Sequence, residues 1–297
     1  MVRLRAHGKI NLFLRVLARE ASGFHQLETL FAALEFGDDL MLEPTERGVT
    51  LEVTGADLGP VEENLAFRAA QGFLAEAGVR DGVRIHLEKR IPVQAGLGGG
   101  SSDAAATLRG LDVLFPGRLS RDDLLRLAAS LGSDVPFFLS PSPLALAWGR
   151  GDRLLPLPPL PRAPVLLALT RVGVETPLAY RLLARQREET PPGRRPVLFD
   201  RGALADWAGV SVLAENHFQK VVFRAFPPLE DVFVALQATD PRLCLLAGSG
   251  GALFAVYGSR EEALKARDRL KARFPKDRFV LTWTSQETEE PPRASGG

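Results

Sequence analysis

The sequence predicts an α+β protein in two parts, an N-terminal unit over residues 1–155 and a C-terminal unit over 164–287, on three observations. Stretches with a two-residue apolar period and stretches with a helical apolar period are mixed in both halves of the chain. Hairpin signals occur in each half, which favours antiparallel pairing over a doubly wound parallel sheet. The clearest break in composition is PLPPLPRAP at 156–164, with five prolines in nine residues, which reads as a linker.

The elements follow in order. Residues 2–20 (VRLRAHGKINLFLRVLARE) alternate apolar and polar residues, as a half-buried strand does. LMLEP and VTLEV flank Arg47-Gly48, the pattern of a hairpin. Asn64 has the chemistry to cap a helix through LAFRAAQGFLAEAG, which Gly78 stops. Val83, Ile85 and Leu87 alternate with Arg84, His86 and Glu88 in another strand. Ser101 and Ser102 open the apolar-periodic segment DAAATLRGLDVLF. Ser120 and Asp123 have the spacing of a capping box before LLRLAASLG. LALAW followed by Gly149-Arg150-Gly151-Asp152 reads as strand and turn.

The second half restarts with the strand VLLALT and a helix from Pro177. EETPPGRRP (188–196) reads as an exposed loop, followed by two helical stretches. LCLLAGSGGALFAVYG reads as strand, glycine turn, strand; EEALKARDRLKARF as an amphipathic helix; FVLTWT as the last strand. Residues 288–297 read as a disordered tail.

Charge and composition exclude several classes. Lys+Arg 37 against Asp+Glu 36 leaves a net charge of +1, which argues against wholesale binding of nucleic acid or an anionic membrane. The single cysteine, Cys244, forbids an intrachain disulfide and a cysteine-rich zinc site. The four histidines, His7, His25, His86 and His217, have no metal-ligand spacing. No stretch approaches the ~18 apolar residues of a membrane span, and the N-terminus lacks the apolar core of a signal peptide. The expectation is a cytoplasmic protein.

The strongest chemical signal is Pro92-Val93-Gln94-Ala95-Gly96-Leu97-Gly98-Gly99-Gly100-Ser101-Ser102. Three consecutive glycines cost backbone entropy on folding, so something offsets that cost. Without Cβ atoms the backbone N–H groups can close on an anion, and the following helix adds its positive end. Ser101 and Ser102 add hydroxyl donors, or one of them caps the helix. This describes a phosphate cradle. It is not a Walker A loop, which needs Gly-Lys-Ser/Thr, and Ser101 stands where a dinucleotide fingerprint needs its third glycine.

The run resembles the central motif of the GHMP kinases, Pro-x-x-x-Gly-Leu-Gly-Ser-Ser-x-Ala, lengthened here by Gly99-Gly100. The longer form resembles the branch that acts on a cytidine diphosphate derivative of methylerythritol in non-mevalonate isoprenoid precursor synthesis. Four further blocks carry the likeness in the family's order: AHGKINLF (6–13), Gly23-Phe24-His25, GSDVPF (132–137) and AGSGG (247–251). The resemblance implies an N-terminal nucleotide-binding domain and a ferredoxin-like C-terminal domain. It implies ATP and Mg²⁺; the metal ligands stay unknown, with Ser101, Ser102 and Asp103 the nearest candidates. It also implies a small-molecule substrate and no nucleic-acid or membrane partner; the oligomeric state stays open.

By the same resemblance, Asp134 is the general base that takes the proton from the substrate hydroxyl, and Lys9 stabilises the developing charge. Pro92, Gly96, Leu97, Gly98, Gly99, Gly100, Ser101 and Ser102 bind the nucleotide. Phe24 and His25 form a cytidine pocket, with Phe24 where the family more often has tyrosine, so stacking survives and a hydroxyl contact is lost. Tyr180, beyond Thr176, is a second stacking aromatic, and Gly248-Ser249 closes over the site. Asn11 shares a strand face with Lys9 by the two-residue period and can reach the substrate. Asn64 reads equally as a helix cap or an adenine contact. Two other readings remain: a family member acting on homoserine, mevalonate or a sugar, and a nucleotide- or RNA-contacting module without catalysis.

Overall fold

The computed structural model describes residues 1–20, 25–189 and 202–287. Two strands form the spine. β1 (Val2–Arg19) and β2 (His25–Thr45) pair antiparallel along nearly their whole length. β1 departs from the half-buried expectation. Its alternation ends near His7, and Gly8 through Val16 are all buried. The reason is packing on both faces: Ile10, Leu12 and Phe13 join Val165, Leu167 and Phe254 of the C-terminal half in one core.

The hairpin expected around Arg47-Gly48 does not form. β3 (Val49–Thr54) leaves β2 and pairs parallel with β4 (Gly82–Glu88), which inserts between them. Burial explains the order. β4 buries Val83, Ile85 and Leu87 against the core, whereas β3 is only half-buried and suits a sheet edge. β5 (Leu144–Gly149) and β6 (Arg153–Leu157) complete the sheet on the other side of β2.

Four helices cover this sheet: α1 (Leu65–Glu76), α2 (Gly99–Leu114), α3 (Arg121–Leu131) and the single turn α4 (Val135–Phe138). Asn64 caps α1, its Oδ1 accepting from Ala66 N–H at 2.9 Å. Ser120 and Asp123 form the expected capping box of α3. α2 begins earlier than expected. Its N-cap is Gly98, so neither Ser101 nor Ser102 caps it; both lie inside the first turns.

The second sheet holds β7 (Pro164–Leu169), β8 (Leu243–Leu246), β9 (Ala252–Val256) and β10 (Arg278–Trp283). Its order β10-β7-β9-β8, antiparallel throughout, is the split βαβ arrangement of ferredoxin-like sheets. Its helices are α5 (Thr176–Glu189), α6 (Trp207–Leu213), α7 (Gln219–Ala225), α8 (Pro227–Gln237) and α9 (Arg260–Arg273). Among the described residues, three helices rather than two separate α5 from β8. Phe226 ends α7 and Pro227 opens α8, a position where a missing N–H costs nothing.

The proline-rich connection is packed against the body. Leu160 and Ala163 are buried, and Trp207 Nε1 donates to Pro161 O at 2.7 Å. The expected loop at 188–196 begins inside α5 and otherwise lies outside the described residues, as does the tail 288–297. No helix among the described residues is long and apolar enough to cross a membrane.

Candidate active site

One large cavity, about 1150 Å³, opens between the two sheets. Its floor is the glycine run. Residues 92–98 connect the end of β4 to α2, and Leu97 O accepts from Lys9 N–H of β1 at 2.8 Å. Gly98 has φ +72, and a Cβ there would meet Lys9 Cγ at 3.0 Å and Phe138 Cζ at 3.1 Å. The missing side chain is therefore what lets the lysine run past the start of the helix.

The C-terminal glycine motif locks onto this loop backbone to backbone. Gly251 N–H donates to Gln94 O at 3.0 Å and Ala252 N–H to Ala95 O at 3.1 Å. A Cβ on Gly96 would fall 1.8 Å from Ala247 O. Asn216, buried beside β1, holds the motif from behind. Its Nδ2 donates to Leu246 O at 2.9 Å and to Gly248 O at 2.7 Å. A Cβ on Gly248 would lie 3.5 Å from Lys9 Nζ, so both glycine segments converge on that ammonium.

Lys9 is buried and points into the cavity floor. Its Nζ donates to Asn11 Oδ1 at 2.9 Å, lies 3.4 Å from Asp134 Oδ2 and sits 5.2 Å from the centre of the Phe31 ring. Asn11 Nδ2 in turn donates to Thr29 Oγ1 at 2.8 Å. Asn11 thus faces the cavity with both ends of its amide engaged, and its visible work is to aim Lys9. Asp134, just ahead of α4, keeps its side chain 31% exposed to the cavity.

The far wall comes from the C-terminal half and β2. Thr176 Oγ1 and Ser249 Oγ share a hydrogen bond of 2.9 Å. Tyr180 stacks on His25 with ring centres 4.4 Å apart and meets Phe218 edge-on at 4.8 Å. Burial, and then the charge of Asp134, push the Tyr180 hydroxyl up to about 12. Burial, then Arg19 and Arg187, lower His25 below the usual histidine value, so its ring is neutral at pH 7.

The structure therefore gathers Lys9, Asn11, His25, Asn64, Pro92, Gly96 to Ser101, Asp134, Thr176, Tyr180, Gly248 and Ser249 around one cavity. Ser102 does not join them. Its side chain is buried on the far side of α2, in a small pocket beside His7 and Phe138. Phe24 lies outside the described residues. Sequence reasoning missed Asp38 and Lys89 beneath the loop, and with them the ion-pair cluster that holds Asp103. Lys89 Nζ, at the end of β4, contacts Asp38 of β2 and donates to Asp103 Oδ2 of α2 at 2.7 Å. Asp38 Oδ1 also accepts from the N–H groups of Arg90, at 2.5 Å, and Ile91, at 2.8 Å.

A glycine cradle at a helix start, with a lysine and a carboxylate facing it, is equipped for phosphoryl transfer. Comparison with known proteins gives the class. Residues 64–141 match the N-terminal domain of the GHMP kinases and residues 198–276 match their C-terminal domain. The 4-diphosphocytidyl-2-C-methyl-D-erythritol kinase of Thermus thermophilus is 42% identical over 268 residues, spanning 90% of this chain and 92% of that protein. The enzyme of the same name from Moorella thermoacetica is 38% identical, spanning 92% and 95%. The chain belongs to the GHMP kinase family. A crystal structure of 4-(cytidine 5'-diphospho)-2C-methyl-D-erythritol kinase superimposes with a TM-score of 0.79 at 38% identity, covering 95% of this chain and 99% of that one. A homoserine kinase from Cytophaga hutchinsonii, 19% identical with a TM-score of 0.73, shares the fold. The protein is a small-molecule kinase of the ATP-using GHMP type.

Proposed function

We propose that the protein transfers the γ-phosphate of ATP to the 2-hydroxyl of 4-diphosphocytidyl-2-C-methyl-D-erythritol, a step of non-mevalonate isoprenoid precursor synthesis. Residues 1–155 and 164–287 are its two domains, and the acceptor lies between them. The observation that carries the mechanism is the position of Lys9. It lies 3.4 Å from the Asp134 carboxylate while its side chain packs on Gly98 of the loop. One ammonium thus touches the base and borders the phosphate cradle.

Asp134 takes the proton of the acceptor hydroxyl while that oxygen bonds to the γ-phosphorus. The bond from phosphorus to the β–γ bridging oxygen breaks, and ADP leaves. Lys9 neutralises charge that builds on the transferring group, where a fixed cation in a water-poor site is most effective. Gly96 to Ser101 hold the nucleotide phosphates with N–H groups at the start of α2. Asn64 reaches the nucleotide through Nδ2, its Oδ1 being engaged in the cap. Neutral His25 offers one donor and one acceptor to the edge of the cytosine, and Tyr180 with Phe24 flanks the base. Thr176, Ser249 and Gly248 close the acceptor side, and Asn11 holds Lys9 in line.

The described residues contain no group of three or more His, Cys, Asp or Glu side chains able to hold a metal ion. When bound with the nucleotide, Mg²⁺ would neutralise phosphate charge, and Ser101 at the start of α2 is the cavity-lining hydroxyl that would help hold it.

The test is ADP release by the purified protein with Mg²⁺-ATP. The diphosphocytidyl methylerythritol, homoserine and mevalonate are offered in parallel. Turnover confined to the first is the expected result. Turnover on either of the others keeps the kinase chemistry and discards the cytidine pocket.

A further inference from the structure

The acceptor of the proposed reaction joins cytidine to methylerythritol through a diphosphate, and each phosphorus carries an ionised oxygen at neutral pH. The cavity offers that charge few open partners. Asp134 and Asp152 already place carboxylates on its lining. The lysines that line it are engaged: Lys9 with Asn11 and Asp134, and Lys89 with Asp38 and Asp103. Arg150, in the turn between β5 and β6, donates through Nε to Glu20 Oε2 at 3.1 Å.

Arg181 differs from these cations. It lines the cavity, it is exposed, and it has no ion pair or side-chain hydrogen bond among the described residues. Its backbone is nonetheless fixed. The start of α5 brings Thr176, Pro177, Tyr180 and Arg181 to the cavity. Thr176 is bonded to Ser249, and Tyr180 is held between His25 and Phe218. The helix is therefore anchored by its neighbours while the guanidinium stays open to a ligand.

We propose that Arg181 binds the diphosphate of the acceptor and makes the site selective for an acceptor that carries one. This rests on the reading of the acceptor given above. The order of groups in that molecule supports the assignment. The cytosine stacks on Tyr180, and the reacting hydroxyl meets Asp134, whose charge is felt at the Tyr180 hydroxyl. The diphosphate joins those two ends, so it runs between Tyr180 and Asp134, past the start of α5. An arginine there suits it, because the planar guanidinium meets phosphate oxygens through paired N–H donors. The contact is exposed, so dissolved salt weakens it.

The experiment is calorimetric titration of the full chain with the diphosphocytidyl methylerythritol, the protein being saturated with a non-hydrolysable ATP analogue and Mg²⁺. Arg181→Gln keeps a good helix former on an exposed face, so the fold is preserved. It is expected to bind the acceptor about tenfold more weakly than wild type, the worth of a hydrogen bond to a charged group. Steady-state kinetics should show the same rise in KM for the acceptor, with kcat and the KM for ATP within about twofold of wild type. Cytidine lacks the diphosphate, so its inhibition constant should be the same for both chains. Raising salt from about 50 to 300 mM should weaken acceptor binding in the wild type more than in the variant. Arg181→Lys, which keeps the charge without the fork, should fall between the two. Unchanged acceptor affinity in Arg181→Gln overturns the proposal. So does an equal loss for cytidine, which would make Arg181 a support for the wall, or a loss that falls on ATP. Each of these leaves the acceptor reading standing. No binding of the acceptor by the wild-type protein overturns both.

Discussion

Two lysines flank the glycine loop and commit their charge differently. Lys9 reaches Asp134 at 3.4 Å, beyond a good hydrogen bond, and that carboxylate keeps 31% of its side chain exposed. Lys89 is held between Asp38 and Asp103, and none of the three side chains is more than 4% exposed. The first pair has slack and an open side, so a third group can enter between its charges. The second has neither, and it ties β2, the end of β4 and α2 together under the loop. A lysine–aspartate pair beside a phosphate cradle is thus not in itself a mark of catalysis. What separates the two is whether the carboxylate keeps an exposed side.

The largest expected effect tests the open pair. Asp134→Asn keeps the shape and removes the proton acceptor. It is expected to lower kcat by about 10²- to 10⁴-fold with ATP affinity nearly unchanged. Steady-state kinetics with a separate nucleotide-binding measurement check this, and wild-type turnover in the variant removes Asp134 from the role of base. The closed cluster should respond in stability instead. Asp38→Asn weakens a buried ion pair and is expected to cost about 3 kcal/mol of unfolding free energy in a urea titration. Its remaining folded fraction should keep kcat within a few fold. A large loss of kcat at unchanged stability would erase the distinction between the two pairs.

The contrast also separates what the sequence made legible from what it did not. The glycine run stood out by its residue types, whereas Lys9 and Asp134 were singled out because their blocks resemble those of the GHMP kinases. The reading of that run as a phosphate cradle rested on backbone physics. Asp38 and Lys89 are 51 residues apart, and nothing local says that one captures the other. Asn216 escaped notice because its bonds to Leu246 and Gly248 close across about 30 positions. The same limit explains the failed hairpin. β2 and β3 are neighbours in the chain, and only the deeper burial of Val83, Ile85 and Leu87 shows that β4 belongs between them. The α2 start was misplaced for a different reason. Gly98 at φ +72 caps the helix by conformation rather than by a side chain, and serine chemistry pointed three residues too far along.

The smallest expected effect concerns a neutral group at the cavity edge, where structural and ligand roles meet in one side chain. Asn64 lines the cavity; its Oδ1 is spent on Ala66 N–H, while its Nδ2 has no hydrogen-bond partner among the described residues. Two variants separate the halves of the amide. Asn64→Asp keeps a capping oxygen and loses the donor. Its unfolding free energy should stay within a few tenths of a kcal/mol of wild type, because aspartate caps as well as asparagine. Its affinity for the ATP analogue should fall about fivefold, the worth of one ordinary hydrogen bond. Asn64→Ala loses both halves, so the same drop in affinity should come with about 1 kcal/mol of lost stability. Unchanged nucleotide affinity in the Asn64→Asp variant would make the residue a cap alone. Both halves lost together in either variant would mean that nucleotide binding depends on the start of α1 and not on Nδ2.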